Sequence, residues 1–175
     1  MEKIPTTNIT LRLFRPSDAD EFMAWESDDR VMKFVRRDLC TTKESATEYI
    51  TTYVANHPFC RAICIGDRPV GWVSVWPAPG EDYRKASIGY CIRYDHWGRG
   101  IATLAVKTVV ATIFKKWSEL ERLEATVEIT NVGSVRVLGK VGFKREGLLR
   151  RFVRFKGESR DVFVFSFLST DPLLD

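Results

Sequence analysis

The sequence predicts an α/β (α+β) fold, a mixed and mostly antiparallel sheet of about seven strands with about four helices. Three observations carry this. Short apolar segments, alternating or continuous and bounded by Gly, Pro and Asp, recur along the chain. One long amphipathic stretch, Ile101 to Trp117, stands between two of them, and such a strand, helix, strand unit demands locally parallel pairing inside the antiparallel sheet. The 175 residues, 45% of them hydrophobic, are enough for one sizeable core and short for two. A single domain over residues 1–175 is therefore expected.

Each element has a local cause. Ile9, Leu11 and Leu13 alternate with Thr10, Arg12 and Phe14 in a first strand that Pro16 ends. Ser17 is placed as the N-cap of a short helix to about Ser27, with Asp18 and Asp20 in its first turn and Phe22, Met23 and Trp25 on its apolar side. Thr41 and Glu44 have capping-box spacing, and Ala46, Tyr49, Ile50 and Tyr53 recur with helical period up to Pro58. Strands follow at Phe59 to Ile65 and Val70 to Trp76, joined by Gly66-Asp67-Arg68-Pro69 and stopped by Pro77 and Pro79. Lys85 to Tyr94 is the next strand and runs straight into His96-Trp97-Gly98-Arg99-Gly100. Ile101, Ala105, Val109, Ile113 and Trp117 then give a long helix one broad apolar face. Leu123 to Ile129 is a strand, Asn131 to Val141 a helix closed by Gly142, and Phe143 to Phe155 with Asp161 to Leu168 a hairpin turned at Lys156-Gly157-Glu158.

Composition narrows the function. The balance of 27 basic and 23 acidic residues leaves a formal +4 spread along the chain, too diffuse for a nucleic-acid binder. No stretch is apolar enough to span a membrane, and Met1 to Ile9 lacks the apolar core of a secretory signal, so the expected location is the cytoplasm or nucleus. Cys40, Cys60, Cys64 and Cys91 show neither a C-x-x-C pair nor the density of a disulfide scaffold. His57, Cys60 and Cys64 lie close in sequence, but the two thiols sit in a strand as core residues would, and no metal is expected.

The chemistry should begin where the Lys85 to Tyr94 strand meets the long helix. N–H groups in a helix's first turn have no internal partner and the helix dipole adds positive charge there, which suits a phosphate. Gly98 and Gly100 would let a ligand approach the backbone, Arg99 adds charge and Thr103 a hydroxyl. A G-x-G pair alone also serves plain turn geometry. The G-x-x-x-x-G-K-[ST] run of a P-loop is missing, as are the third glycine and ribose-binding acid of a dinucleotide fingerprint.

The run Tyr94-Asp95-His96-Trp97-Gly98-Arg99-Gly100-Ile101-Ala102-Thr103 resembles the coenzyme A motif of the GNAT superfamily in its RimJ/RimL-like form. The superfamily pattern of Gln or Arg, two residues, Gly, one residue, then Gly or Ala falls on Trp97, Gly100 and Ala102. Trp97 departs from the general pattern and matches the subgroup. Asn131-Val132-Gly133-Ser134, the following Val135 to Phe143, and Lys144-Arg145-Glu146-Gly147 resemble the subgroup's second motif and its continuation.

The resemblance implies a sheet split between the fourth and fifth strands, with acyl-CoA in the gap. It implies that the backbone of Tyr90, Cys91 and Ile92 binds pantetheine and polarises the thioester carbonyl, that Trp97 to Thr103 (Trp97, Gly98, Arg99, Gly100, Ile101, Ala102, Thr103) bind the coenzyme, and that the serine matching Ser134 protonates the departing thiolate. Asn131 is either a helix cap or a pantetheine ligand, and Ser134 either that acid or a cap. Glu124, Thr126 and Glu128 share one strand face. Glu128 is the candidate base, with a solvated strand-end acid as its plain alternative. Val153 falls where a RimL-type enzyme can carry a glutamate. Cys91 lacks an adjacent histidine partner and reads as a core thiol. Arg150, Arg151, Arg154, Lys156 and Arg160 make the last hairpin basic, which suits either edge protection or an acidic substrate. Trp25, Trp72 and Trp76 are core aromatics or lining of the acceptor pocket.

The expected activity is transfer of acetyl from acetyl-CoA to a primary amine, a protein N-terminus or a small amine, by direct attack in a ternary complex. The rival is a non-catalytic acyl-CoA-binding sensor or scaffold. The expected partners are acyl-CoA and the amine, with neither nucleic acid nor membrane, in a monomer or homodimer.

Overall fold

The computed structural model describes residues 9–37 and 39–174. The opening segment read above for a secretory signal lies, up to Asn8, outside the described residues. Seven strands are present: β1 Ile9–Arg12, β2 Cys60–Ile65, β3 Arg68–Pro77, β4 Lys85–Ile92, β5 Arg122–Glu128, β6 Lys144–Phe155 and β7 Glu158–Leu168. The α-helices are α1 Ala19–Glu26, α2 Asp29–Met32, α3 Lys43–Glu48, α4 Ile101–Lys116 and α5 Val132–Val141. The strands hydrogen-bond in the order β1-β2-β3-β4-β5-β7-β6. β4 and β5 are parallel, Lys85, Ala86 and Ser87 facing Arg122, Leu123 and Glu124, while β1–β2, β2–β3, β5–β7 and β6–β7 are antiparallel. This is the predicted fold class with one more helix, and among the described residues no helix is long and apolar enough to cross a membrane.

The chain divides into two compact units. The first holds the described residues up to Trp76 together with Gly89–Ala105, and the second holds Pro77–Ile88 and the chain from Val106 onward.

In the first unit, Phe22, Trp25, Met32, Ala46, Ile50 and Cys91 form the core, with Trp72 and Tyr49 packed against it. Four local expectations are corrected here. Ser17 does not cap α1. Pro16–Asp18 is a 3-10 turn, and the Asp18 carboxylate, 6% exposed, accepts from the Arg15 N–H at 2.8 Å and from the Arg12 guanidinium at 2.7 and 2.9 Å. An ionised carboxylate gains more from these donors than a serine hydroxyl would. The capping box sits one residue later than Thr41 and Glu44: the Thr42 hydroxyl accepts from the Ser45 N–H and the Ser45 hydroxyl from the Thr42 N–H, both at 3.1 Å. α3 then widens into a π-turn over Tyr49–Val54, which buries Ile50 and Val54 and leaves Tyr53 half exposed. β1 ends at Arg12, so Leu13 turns out to solvent.

In the second unit Leu123, Ala125 and Val127 of β5, Phe165 and Phe167 of β7, Leu138 and Val141 of α5, and Val106, Val109, Val110 and Ile113 of α4 are buried. Phe167 stands 5.4 Å from Phe143 and 6.2 Å from Phe114 between ring centroids. Burying one such ring stabilises by roughly 2–3 kcal/mol. Gly142 closes α5 at φ 109, the left-handed C-cap that its position predicts.

On β6, the sheet's last strand, Glu146 accepts from Arg122 at 2.9 and 2.5 Å and from the Ser166 hydroxyl at 2.6 Å. The Arg122 guanidinium, then the Ser166 hydroxyl, hold its carboxyl at about 2 against an ordinary 4.5. Its folded pKa is depressed, so its contribution is complete above the unfolded value and fades as the pH falls through the folded one. Glu146→Gln should flatten the fall of unfolding free energy between about pH 4.5 and about pH 2, measured by urea titration.

Candidate functional site

The glycine turn before α4 lies in the first unit. After β4 the chain makes a 3-10 turn at Tyr94–His96, Trp97 is extended, and α4 starts at Ile101. Gly98 and Gly100 adopt φ 75 and φ 77, and a Cβ at Gly98 would meet nothing within 4 Å. Both positions need glycine for the left-handed backbone, and at Gly98 space is not the reason. Backbone bent by alternating left-handed residues is a recurrent anion-binding form. Gly98, Arg99 and Gly100 are exposed, and the free N–H groups of a 16-residue helix begin beside them. Thr103 is half-buried one turn in.

Side chains hold this turn to its neighbours. The Trp97 indole N–H donates to the Ile92 carbonyl at 2.6 Å, and Tyr94 packs 5.0 Å from the Trp97 ring. Arg30 lies 3.6 Å over Tyr94 and is fixed by Asp28 at 2.9 and 2.7 Å. Arg93 pairs with Glu21 of α1 and with Asp95, which also holds His96 Nδ1 at 2.8 Å. α2 was missed in the sequence. Its signal was Asp28, whose side chain caps Arg30 N–H at 3.0 Å ahead of a single four-residue turn, too short for periodicity to register.

Upstream, Tyr90 is half-buried and Cys91 and Ile92 are buried. Burial pushes the Cys91 thiol up to about 12, so it is protonated at neutral pH. Cys60 is likewise raised to about 12 by burial, and Cys40 and Cys64 are raised in the same direction. Trp25 is fully buried, Trp72 is half-buried against the core, and Trp76 is half exposed, 4.6 Å from His57 and 6.4 Å from Tyr53. Glu26 is a buried acid that the sequence reading passed over. It accepts from Arg37 and, at 3.3 Å, from the Cys40 N–H, and its carboxyl is raised by burial against the pull of Arg37.

The other candidates lie in the second unit. Glu128 ends β5 with both oxygens engaged: Oε2 accepts from Arg160 at 2.7 Å and Oε1 from the Thr130 hydroxyl at 2.8 Å. It is a paired carboxylate, not a merely solvated strand-end acid. Asn131 caps α5, its Oδ1 accepting from the Ser134 N–H at 3.1 Å. Ser134 is therefore the third residue of the helix, and its backbone N–H is the group that the cap satisfies. Val153 is buried. The Ile129 N–H donates to the Asp161 carbonyl at 3.3 Å, and the Asp161 carboxylate accepts from the Arg151 N–H at 2.7 Å. Arg151 stands at φ 49 in a break of the β6–β7 register between Leu149 and Val153. Arg150, Arg151 and Arg154 are exposed on this edge strand, whereas Arg160 is spent on Glu128 and Glu158.

Residues 8–144 match the family model described as an acetyltransferase (GNAT) domain. The chain is 32% identical to an uncharacterised N-acetyltransferase p20 of Bacillus licheniformis over 98% of both chains. It is 33% identical to a probable N-acetyltransferase, YjcK, of Bacillus subtilis (strain 168), over 93% of this chain and 95% of that one. Among solved structures, Mycobacterium smegmatis RimJ in complex with CoA-disulfide superposes with a TM-score of 0.81 at 27% identity, covering 94% of this chain and 84% of that one.

Proposed function

The chain belongs to the GNAT acetyltransferase family, in its RimJ/RimL-like subgroup, and we propose that it moves the acetyl group of acetyl-CoA to a primary amine by direct attack in a ternary complex. Acetyl transfer to nitrogen and binding of acyl-CoA are the family's properties. The acetyl-CoA preference, the acceptor, either a polypeptide N-terminus or a small amine, and the residue roles are this reading's own, as is the working of residues 1–175 as one domain in the cytoplasm. The observation that carries it is the turn with left-handed Gly98 and Gly100 at the head of α4.

In this reading the N–H groups from Gly98 to Thr103 take the pyrophosphate, with Arg99 as a counter-charge and Trp97, Ile101 and Ala102 shaping the turn. The backbone of Tyr90, Cys91 and Ile92 takes the pantetheine arm and the thioester carbonyl. The Asn131 side-chain amide N–H donates to the pantetheine while its oxygen caps α5. The amine nitrogen attacks the carbonyl carbon, the oxyanion collapses, and the carbon–sulfur bond breaks. Ser134 gives its hydroxyl proton to the departing thiolate and is reprotonated from solvent. Glu128, oriented by Arg160 and Thr130, accepts from the amine and passes its proton on through water. With its thiol near 12, Cys91 supports transfer without an acyl-enzyme.

Hydrogen exchange read by mass spectrometry tests the assignment. CoA should slow exchange in peptides covering Tyr90–Ile92 and Gly98–Thr103 and leave the β6–β7 turn unchanged. Protection confined elsewhere would contradict it.

A further inference from the structure

β4 passes unusually close to β3 at one point. A Cβ built on Gly71 would lie 2.1 Å from the Cys91 carbonyl oxygen and 3.0 Å from Ile92 Cα. Even a close carbon–oxygen contact is about 3.3 Å. Gly71 is not among the glycines with positive φ, so what excludes a side chain is the occupied space and not the backbone conformation. The Cys91 carbonyl fills the place a side chain would take. β3 is itself irregular here: Ile63 faces Gly71 and Cys64 faces Pro69, leaving Val70 as the extra residue of a bulge.

Peptide geometry sets the consequence. All described peptide bonds are trans, and a trans peptide sets its N–H opposite to its carbonyl, so the Ile92 N–H points away from Gly71 and from β3. The next peptide is pinned on both sides, the Ile92 carbonyl by the Trp97 indole at 2.6 Å and the Arg93 N–H by the Val70 carbonyl at 2.8 Å. The Cys91–Ile92 peptide is therefore held beside a pinned neighbour, and its carbonyl occupies the space that a side chain at position 71 would need.

We propose that Gly71 is a positioning residue for acetyl transfer: its bare Cα lets the Cys91 carbonyl lie against β3 and so aims the Ile92 N–H off the strand, as a donor to the oxyanion forming on the thioester carbonyl. This rests on the reading of Tyr90–Ile92 as the thioester-binding strand. A donor aimed before the reaction stabilises the transition state more than the ground state, so misaiming it lowers kcat and largely spares binding.

Gly71→Ala should lower kcat at least about tenfold while the Kd for CoA, which has no acyl carbonyl, changes less than about threefold. Gly89→Ala is the control, because a Cβ there would sit 3.5 Å from Trp72 in ordinary contact, and it should retain kcat within about twofold. A folded Gly71→Ala protein with wild-type kcat overturns the proposal, and so does an equal loss in Gly89→Ala. A second measurement needs no variant. In 15N-labelled wild-type protein, the carba(dethia) analogue of acetyl-CoA, in which a methylene replaces the sulfur and the ketone stands where the thioester carbonyl would, should shift the Ile92 amide proton downfield relative to CoA. If Tyr90 and Cys91 respond and Ile92 does not, the role of Gly71 is overturned and the thioester strand stands. If neither ligand moves any amide from Tyr90 to Ile92, both are overturned.

Discussion

Gly100→Glu is expected to weaken CoA binding by a factor of about 100 or more. The position has φ 77, and α4 begins at the next residue, so a carboxylate there would face the pyrophosphate across the N–H groups meant to hold it. Two like charges about 5 Å apart at an effective dielectric constant near 20 repel by roughly 3 kcal/mol, which is more than a hundredfold in Kd. The side chain also brings the cost of a left-handed conformation, about 1–2 kcal/mol. Gly100→Gln carries the bulk and the backbone cost without the charge, so the ratio of the two Kd values isolates the electrostatic part. Calorimetric titration with CoA at low salt should give Gln an intermediate affinity, with the gap to Glu narrowing as salt is added. Equal affinities for the three proteins would remove the phosphate from this turn.

Ser134→Ala is expected to lower kcat about 100-fold with little change in KM for acetyl-CoA. Asn131 caps α5 through the Ser134 backbone N–H at 3.1 Å, which alanine keeps, and alanine is a good helix former. Fold and coenzyme affinity should survive, leaving the loss on the departure of the thiolate, where general acid catalysis contributes about 100- to 10,000-fold. Steady-state kinetics over a pH series measures it, with Asn131→Ala for comparison. That variant loses the cap and about 1 kcal/mol of stability, and should therefore lower the melting temperature where Ser134→Ala does not. An unchanged kcat in Ser134→Ala would mean that the thiolate takes its proton elsewhere.

What the sequence made legible were features with a long period or a strong local rule. The apolar face of α4, the Gly142 stop, the hairpin and the parallel β4–β5 unit each rest on several residues agreeing, and the helix-start turn follows from two glycines whose φ values are 75 and 77. The errors fall where one or two residues compete for the same job. Ser17 and Asp18 are both good caps by type, and the donors go to Asp18, on which the Arg12 guanidinium at the end of β1 and the Arg15 N–H close. Thr41 and Thr42 are equivalent by type, and Ser45 rather than Glu44 supplies the returning bond. The π-turn at Tyr49–Val54 has no pattern of its own, and α2 is a single turn. In the candidate site, the Glu128–Arg160 pair and the contact of Gly71 with Cys91 join residues many positions apart in sequence. Such contacts exist only once the strands have paired.

Amine acetylation from acetyl-CoA is the proposed activity. Its most direct test is thiol release from acetyl-CoA with a panel of N-terminal peptides and small amines, read together with product mass. The expected result is amine-dependent release of CoA with one acetyl group gained by the acceptor, and loss of both signals in Gly100→Glu. Tight CoA binding with no acceptor-dependent thiol and no acetylated product would contradict it.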